Sequence, residues 1–299
     1  MLLPLLDWDC RMFDKFIKTK GDISPALLDF LSEENQFFSG ALRRSKNTPM
    51  AQREAWRKET VYERRLRVSK EVFEMMNGVV GYGPLKGLKL ADDAWWGAPD
   101  KASMLLGLYE QELLDVLTSK PLVDKSYFID IGAADGYYGI GLVMAGFYKK
   151  SFCFEISEKG RLTIKNNAEV NGVSEKVQVF GAADQALAQH LPQECIQDAV
   201  VLVDIEGGEF GVLTEDFLKT FQHSYVLIEV HNWVEGFEEK YFNLLLTASK
   251  YFSIDTVKPG VRDLTQFSEL NDFTDDNRYL ICSEGRPNVM RFLMFKPKN

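Results

Sequence analysis

Tyr127-Phe-Ile-Asp-Ile-Gly-Ala-Ala-Asp-Gly-Tyr-Tyr-Gly139 is the stretch that decides the fold of this 299-residue chain. An apolar, strand-like run, Tyr127 to Ile131, enters a turn carrying Gly132, Ala133, Asp135 and Gly136, and a helical stretch follows. Gly132 and Gly136 let the backbone turn sharply and approach a ligand closely. Downstream, further apolar runs follow at Ser151–Glu155, Val177–Phe180, Ala199–Asp204 and Tyr225–Val230. Helical patterns separate them, such as Glu158 to Asn171 closed by Gly172. Strands alternating with helices predict an α/β fold with a parallel sheet, right-handed crossovers and helices on both faces. Ser253–Val257 and Val289–Phe295 read as a last pair of strands, and Lys258–Pro287 as a long, polar, irregular loop.

In an open parallel sheet, ligands collect at the carboxyl ends of the strands, where the quoted turn lies. Asp130 is placed there to influence a bound ligand through water or backbone amides. Glu155 ends the second run about 20 residues past the turn, where a carboxylate accepts both hydroxyls of a ribose and repels a 2′-phosphate. Ala134-x-Gly136-x-x-Gly139 is a degenerate dinucleotide pattern. Its first Gly is missing, and Tyr137 and Tyr138 crowd the helix start where a pyrophosphate needs open amides. Both features favour S-adenosylmethionine over a nicotinamide dinucleotide. Asp184, after the third run, is expected either at the adenine edge or as a helix N-cap for Gln185–His190.

The acceptor side is expected at the ends of the fourth and fifth runs. Asp204-Ile-Glu206-Gly-Gly-Glu209 crowds three acids, and Glu229-Val-His231 puts an acid and a histidine on one strand face. Glu209 reads as a charge complementing a helix dipole, and Glu229 as a partner of a buried basic group or a catalytic acid. Neutral His231, oriented by Glu229 or Glu206, suits a general base. Alternatively, Asp204 and Glu229, with His231 or Asn232, hold a divalent ion such as Mg²⁺. The metal-free base is the favoured expectation, because histidine is an unusual Mg²⁺ ligand. Trp95, Trp96 and Trp233 suit either stacking on a sugar ring or packing. Arg262, Arg278 and Arg286 suit an anionic acceptor or, in the simpler reading, solvated charge.

These segments resemble the FkbM-type methyltransferases over roughly Leu105 to Trp233. The resemblance rests on the Asp130–Tyr138 turn, on Val203-Asp-Ile-Glu-Gly-Gly-Glu209 with Leu213, on Ile228-Glu-Val-His231, and on Leu108-Tyr109-Glu110 upstream. It implies a Rossmann-like class I sheet, S-adenosylmethionine as donor, and an oxygen acceptor on a sugar or glycan. It also implies that Tyr109, Glu110 and Asp204 join the turn residues around the cofactor. Ala133-Ala-Asp135 departs from the alanine-asparagine more common there.

Residues 1–100 are expected to form a helical appendage, and 101–299 the cofactor-binding domain. Thr48-Pro49 reads as a helix start, Tyr62, Leu66, Phe73 and Met76 as its apolar positions, and Gly78 as its end. Arg53, Arg57, Lys58, Arg64, Arg65, Arg67 and Lys70 read as its solvated basic face. Ser24-Pro25 opens a shorter helix by the same logic. The net charge of −9, from 35 Lys and Arg against 44 Asp and Glu, argues against wrapping nucleic acid. Neither signature of nucleic-acid methylation, Asp/Asn-Pro-Pro-Tyr/Phe or Pro-Cys, occurs. Four cysteines lack C-x-x-C spacing, no apolar run approaches the roughly 20 residues that span a bilayer, and no signal peptide is evident. A cytoplasmic enzyme acting on a small-molecule or glycan hydroxyl is the expectation, with a catalytically silent binding module as the alternative from another class.

Overall fold

The computed structural model describes residues 24–34, 50–184, 187–286 and 290–298. The chain forms two compact units: Met1–Arg65 with Asp263–Leu280, and Leu66–Arg262 with Ile281–Asn299.

The larger unit is built on seven strands: β1 (Tyr127–Ile131), β2 (Lys150–Phe154), β3 (Val177–Phe180), β4 (Ala199–Val203), β5 (Tyr225–Glu229), β6 (Phe252–Val257) and β7 (Phe292–Pro297). Their order is β3-β2-β1-β4-β5-β7-β6. β1 to β5 are mutually parallel, and β7 runs antiparallel between β5 and β6. The order reverses direction between β1 and β4, so a crevice opens at their carboxyl ends. This is the Rossmann-like class I methyltransferase sheet.

Both faces of the sheet are covered, and the period of two along each strand divides the core. Ile129 and Ile131 of β1, Phe152 and Phe154 of β2, and Val201 and Val203 of β4 pack on one side. There they meet Leu213, Phe217, Leu218, Leu244 and Ala248 from the segments after β4 and β5. On the other side Asp130 and Cys153 face the Tyr137–Met144 helix. A Cβ built on Gly139 of that helix would stand 2.4 Å from Cys153 Sγ, so only glycine permits this close approach. Leu85 and Leu88 close over the helix at Gly141.

The late polar segment is not an irregular loop. Leu264, Phe267, Leu270 and Phe273, three residues apart, are buried, and Asp275–Ile281 is helical. Their spacing turns one apolar edge inward even without a long helix. The single helix expected after Thr48 is two, Met50–Lys58 and Val61–Met75. Thr60 and Glu63 cap the second reciprocally: the Glu63 amide donates to Thr60 Oγ1 (3.2 Å) and the Thr60 amide to Glu63 Oε2 (2.8 Å). Tyr62 and Leu66 are exposed on it, whereas Arg65, Val68, Ser69 and Val72 are buried, so the inward face lies about one position away from the expected one. The start at Thr48-Pro49 lies outside the described residues, as do Val289, Pro287 and Gln185. Ser24 does open a helix over 25–34, its hydroxyl accepting from the Leu27 amide.

Candidate functional site

A cavity of about 590 Å³ lies at the carboxyl ends of β1, β2 and β4. One wall is the turn after β1. Gly132 sits at φ +95°, and a Cβ there would stand 1.6 Å from the Asp204 carbonyl oxygen. The β1 turn therefore lies directly on the backbone at the end of β4, and its amide donates to the Phe154 carbonyl (2.9 Å). Gly136, at φ +82°, starts the next helix. Ala133, Ala134 and Asp135 complete this wall.

Three carboxylates hold the turn. Asp130 accepts the Gly139 amide (3.0 Å), and burial pushes its carboxyl up to about 7, with that amide pulling down and Glu155 adding repulsion. Glu155 lines the cavity and accepts the amides of Ala134 (3.0 Å) and Ser157 (2.7 Å). Asp135 accepts the amides of Trp95 (2.9 Å) and Trp96 (3.3 Å), fastening both indoles to the cavity wall. Tyr109 also lines the cavity, edge-on to Tyr137 at 5.8 Å. Asp184 lies on the wall, and its carbonyl accepts the Leu187 amide at the start of the Leu187–His190 turn.

Asp204 and Glu206 form the wall at the end of β4. Behind them His231 is fully buried (0% exposed). Its Nδ1 lies 2.6 Å from Glu209 Oε1, which also accepts the amides of Ile205 and Gly207 (both 3.1 Å). Glu209 (1% exposed) stands, as expected, in the first turn of the Glu209–Val212 helix, and it also orients the ring and ties it to the β4 loop, a role expected of Glu229 or Glu206. Glu229 Oε2, Glu206 Oε2 and Asp204 Oδ1 lie 3.4, 3.6 and 3.7 Å from His231 Nε2. These are ion-pair distances; among the described residues Nε2 and Asp204 Oδ1 make no closer hydrogen bond. Burial alone would lower the imidazole's pKa, but Glu209 and Glu229 outweigh it and lift it to about 9, so the ring is cationic at neutral pH rather than the neutral base expected. Burial, with Glu229 and Glu110 nearby, pushes the Asp204 carboxyl well up. Glu206 occupies a left-handed backbone conformation (φ +53°), strain concentrated where the loop turns toward the cavity.

Glu110 is not on the cavity wall. It is buried, accepts the Tyr138 hydroxyl (2.5 Å) and pairs with the Arg286 guanidinium. Arg286 also pairs with Glu229 and, at 2.8 Å, with Glu284. The expected cofactor contact of Glu110 is thus replaced by an internal ion pair. The reading of Arg286 as solvated charge is likewise corrected, and Glu229 does partner a buried basic group. Arg262 is engaged by Glu112 (2.6 Å) and the Leu108 carbonyl, and Arg278 pairs with Asp275. No arginine among these supports an anionic acceptor. Trp233 lies edge-on to His231 at 4.7 Å. Sequence reasoning missed Glu209 as the orienting group, although its place in Asp204-x-Glu206-Gly-x-Glu209 was the available signal.

Sheet order and cavity position define a class I methyltransferase fold with its ligand crevice at the β1–β4 switch. No family profile matches the chain. Over 142 residues, 39% of the chain, it is 32% identical to the ribosomal protein L11 methyltransferase of Glaesserella parasuis serovar 5 (strain SH0165). That stretch covers 46% of the relative, so the chain spans about half the length of the curated protein it matches. Among solved structures it is similar to precorrin-6y C5,15-methyltransferase of Geobacter metallireducens (TM-score 0.39, 11% identity, 58% of this chain and 80% of that one). It is also similar to the ribosomal protein L11 methylase of Lactobacillus delbrueckii subsp. bulgaricus (TM-score 0.39, 12% identity, 63% and 80%). A third is TrmK of M. capricolum, solved with S-adenosyl-homocysteine (TM-score 0.38, 15% identity, 58% and 63%). Likeness at this level adds nothing to the strand order itself. No helix among the described residues is long and apolar enough to cross a membrane.

Proposed function

We propose that this chain is an S-adenosylmethionine-dependent methyltransferase of the FkbM type that methylates a hydroxyl oxygen on a carbohydrate. One observation carries the reading: a single cavity is bounded by the glycine turn and Glu155 on one side and by Asp204 and Glu206 on the other. The residues fit the cofactor. Gly132 leaves no side chain between the turn and the β4 end, and Glu155 presents a carboxylate at the end of β2 where a ribose diol needs an acceptor. Gly132 to Gly136, Tyr109 and Glu155 would hold it, with Asp184 at the base edge. When bound, S-adenosylmethionine supplies an electrophilic methyl group on a sulfonium.

The chain's own part is to align the acceptor, exclude water and take the hydroxyl proton, the last contributing roughly 10²–10⁴-fold. Glu206 stands at the wall and receives that proton, with His231 and Glu229 behind it. The wall's negative charge favours a neutral, hydroxyl-rich acceptor over the anionic one first considered. Trp95 and Trp96, 39% and 53% exposed on the cavity wall, offer apolar faces to a sugar ring. The relative named for ribosomal protein L11 supports the competing reading, a protein acceptor.

Titration calorimetry with S-adenosylhomocysteine tests the donor site. Glu155→Ala should lose on the order of 1.5–3 kcal/mol of affinity. Unchanged affinity, or tight NADH binding by the wild type, removes the assignment. Labelled methyl offered with neutral oligosaccharides and with ribosomal protein then decides the acceptor.

A further inference from the structure

We infer that residues 91–97 form a strap which Asp135 latches over the donor site, and that Trp95 on this strap is a cofactor-binding residue covering the nucleoside of S-adenosylmethionine. This role rests on the S-adenosylmethionine reading above and gives the donor site a wall from outside the sheet. Three features converge on it. The first is how the strap is held. Asp135 stands in the turn after β1, yet its carboxylate engages the strap. Its Oδ1 accepts the amides of Trp95 (2.9 Å) and Trp96 (3.3 Å), and its Oδ2 accepts the Trp95 amide as well (3.1 Å). Asn167 Nδ2 donates to the Asp135 carbonyl (2.9 Å) and so fixes the latch residue itself. Earlier in the strap, the buried Lys101 ammonium donates to the carbonyls of Ala91 and Asp92, and Lys159 pairs with Asp93 (3.1 Å). All of these contacts use strap backbone or the Asp93 carboxylate, and none uses an indole.

The second is what the strap leaves open. Trp95 and Trp96 are both exposed on the cavity wall, and so is Ile156 (78% exposed). Large apolar side chains gathered at one opening mark a surface that a ligand covers. A segment fastened by polar atoms, with its two largest side chains turned to a cavity, is built to bind rather than to pack.

The third is where Trp95 sits. A Cβ built on Gly160 would stand 2.6 Å from Glu155 Cγ and 2.9 Å from Trp95 Cδ1. Gly160 lies in the first turn of the Glu158–Val170 helix, where glycine is a poor helix former, and its missing side chain lets Glu155 and Trp95 meet there. The indole therefore borders the carboxylate assigned to the ribose diol, and Ile156 is the next residue in the chain. A nucleoside held by Glu155 has Trp95 and Ile156 as its apolar neighbours. Of the two indoles, Trp95 is thereby committed to the donor, and Trp96 is left to the acceptor.

The latch also accounts for a carboxylate at position 135. An asparagine there would keep Oδ1 but would turn its amino group toward the Trp95 amide, and two donors 3.1 Å apart repel.

The test is titration calorimetry of the full chain with S-adenosylhomocysteine. Trp95→Ala should weaken binding roughly 5–150-fold, the range for a lost base–aromatic stack, and Trp95→Phe should recover most of it. 5′-Methylthioadenosine, which carries the nucleoside without the amino acid, should lose the same factor. Asp135→Ala is a positioning change, so its effect should vanish in a Trp95→Ala background. Circular dichroism confirms that each variant is folded. Trp95→Ala that binds S-adenosylhomocysteine as tightly as the wild type overturns the inference and leaves the donor reading standing. A loss from Asp135→Ala that persists undiminished beside Trp95→Ala overturns the latch, because Asp135 then touches the cofactor itself. A wild type that binds no S-adenosylhomocysteine defeats the donor reading and this inference with it.

Discussion

Gly132→Ala is the sharpest test of how the β1 turn builds the cavity. The new Cβ would lie 1.6 Å from the Asp204 carbonyl oxygen, 2.7 Å from its carbonyl carbon and 3.0 Å from Ile205 Cγ2. Carbon and carbonyl oxygen approach no closer than about 3.3 Å, so the strands must part by more than an ångström. They are tied at that point by the Asp204 amide, which donates to the Ile131 carbonyl at 2.9 Å, while the Gly132 amide holds the turn to Phe154 of β2, also at 2.9 Å. Parting them sacrifices one such bond, about 1 kcal/mol. Overpacking adds about 1–3 kcal/mol. A side chain at φ +95° adds about 1–2 kcal/mol. We expect a total near 4 kcal/mol, and a fall in Tm of roughly 8–16 °C for a chain of this size. Gly146 supplies the control, because it too has positive φ (+83°) but a Cβ there meets nothing within 4 Å. Gly146→Ala therefore measures the backbone preference alone. Urea unfolding of both variants, with S-adenosylhomocysteine affinity measured on whatever remains folded, isolates the clash. Destabilisation of Gly132→Ala within 1 kcal/mol of Gly146→Ala would refute the close approach of β1 and β4.

The other predictions concern charge. Asp130 has its carboxyl raised from 3.8 to about 7 in the folded chain, so the native state binds the extra proton between those values. Its contribution to stability therefore falls as pH rises through that window. Asp130→Asn keeps an acceptor for the Gly139 amide, and its stability relative to wild type should climb from pH 4 to pH 8 by at most roughly 4 kcal/mol; a pH-independent difference in urea midpoints would contradict the argument. Arg286→Met strands the Glu110 and Glu229 carboxylates without their cation and should cost about 3–5 kcal/mol in urea unfolding. Glu110→Gln placed on top should recover part of that loss, and a purely additive double variant would show that the pair is not coupled.

Much of the sheet was legible in the chain itself. β1 to β5 announce themselves as short apolar runs ending in acids or glycine, because strands buried on both faces need continuous hydrophobic sequence. The glycine turn and Glu155 could be placed from spacing alone, since both belong to one β-turn-α-β unit whose geometry is local. The late segment was misread because Leu264, Phe267, Leu270 and Phe273 follow no long helical period. The helix after Thr60 was misread because its inward face includes Arg65 and Ser69, which a purely apolar pattern passes over.

The acceptor side shows the limit most clearly. Sequence determined which acids and which histidine stand at the ends of β4 and β5, because strand ends are set by local pattern. It did not determine which of Glu206, Glu209 and Glu229 orients His231, since all three are near it and only the loop's path sends Glu209 to Nδ1. Arg286 reaches Glu229 across 57 residues and Glu110 across 176, and Asp135 takes the amides of Trp95 and Trp96 about 40 residues away. Such partnerships arise when the crossovers bring separate strand ends to one edge of the sheet. Burial there removes water, and each charge must then find its partner within a few ångströms. Local sequence selects the groups, but the tertiary structure decides which of them meet.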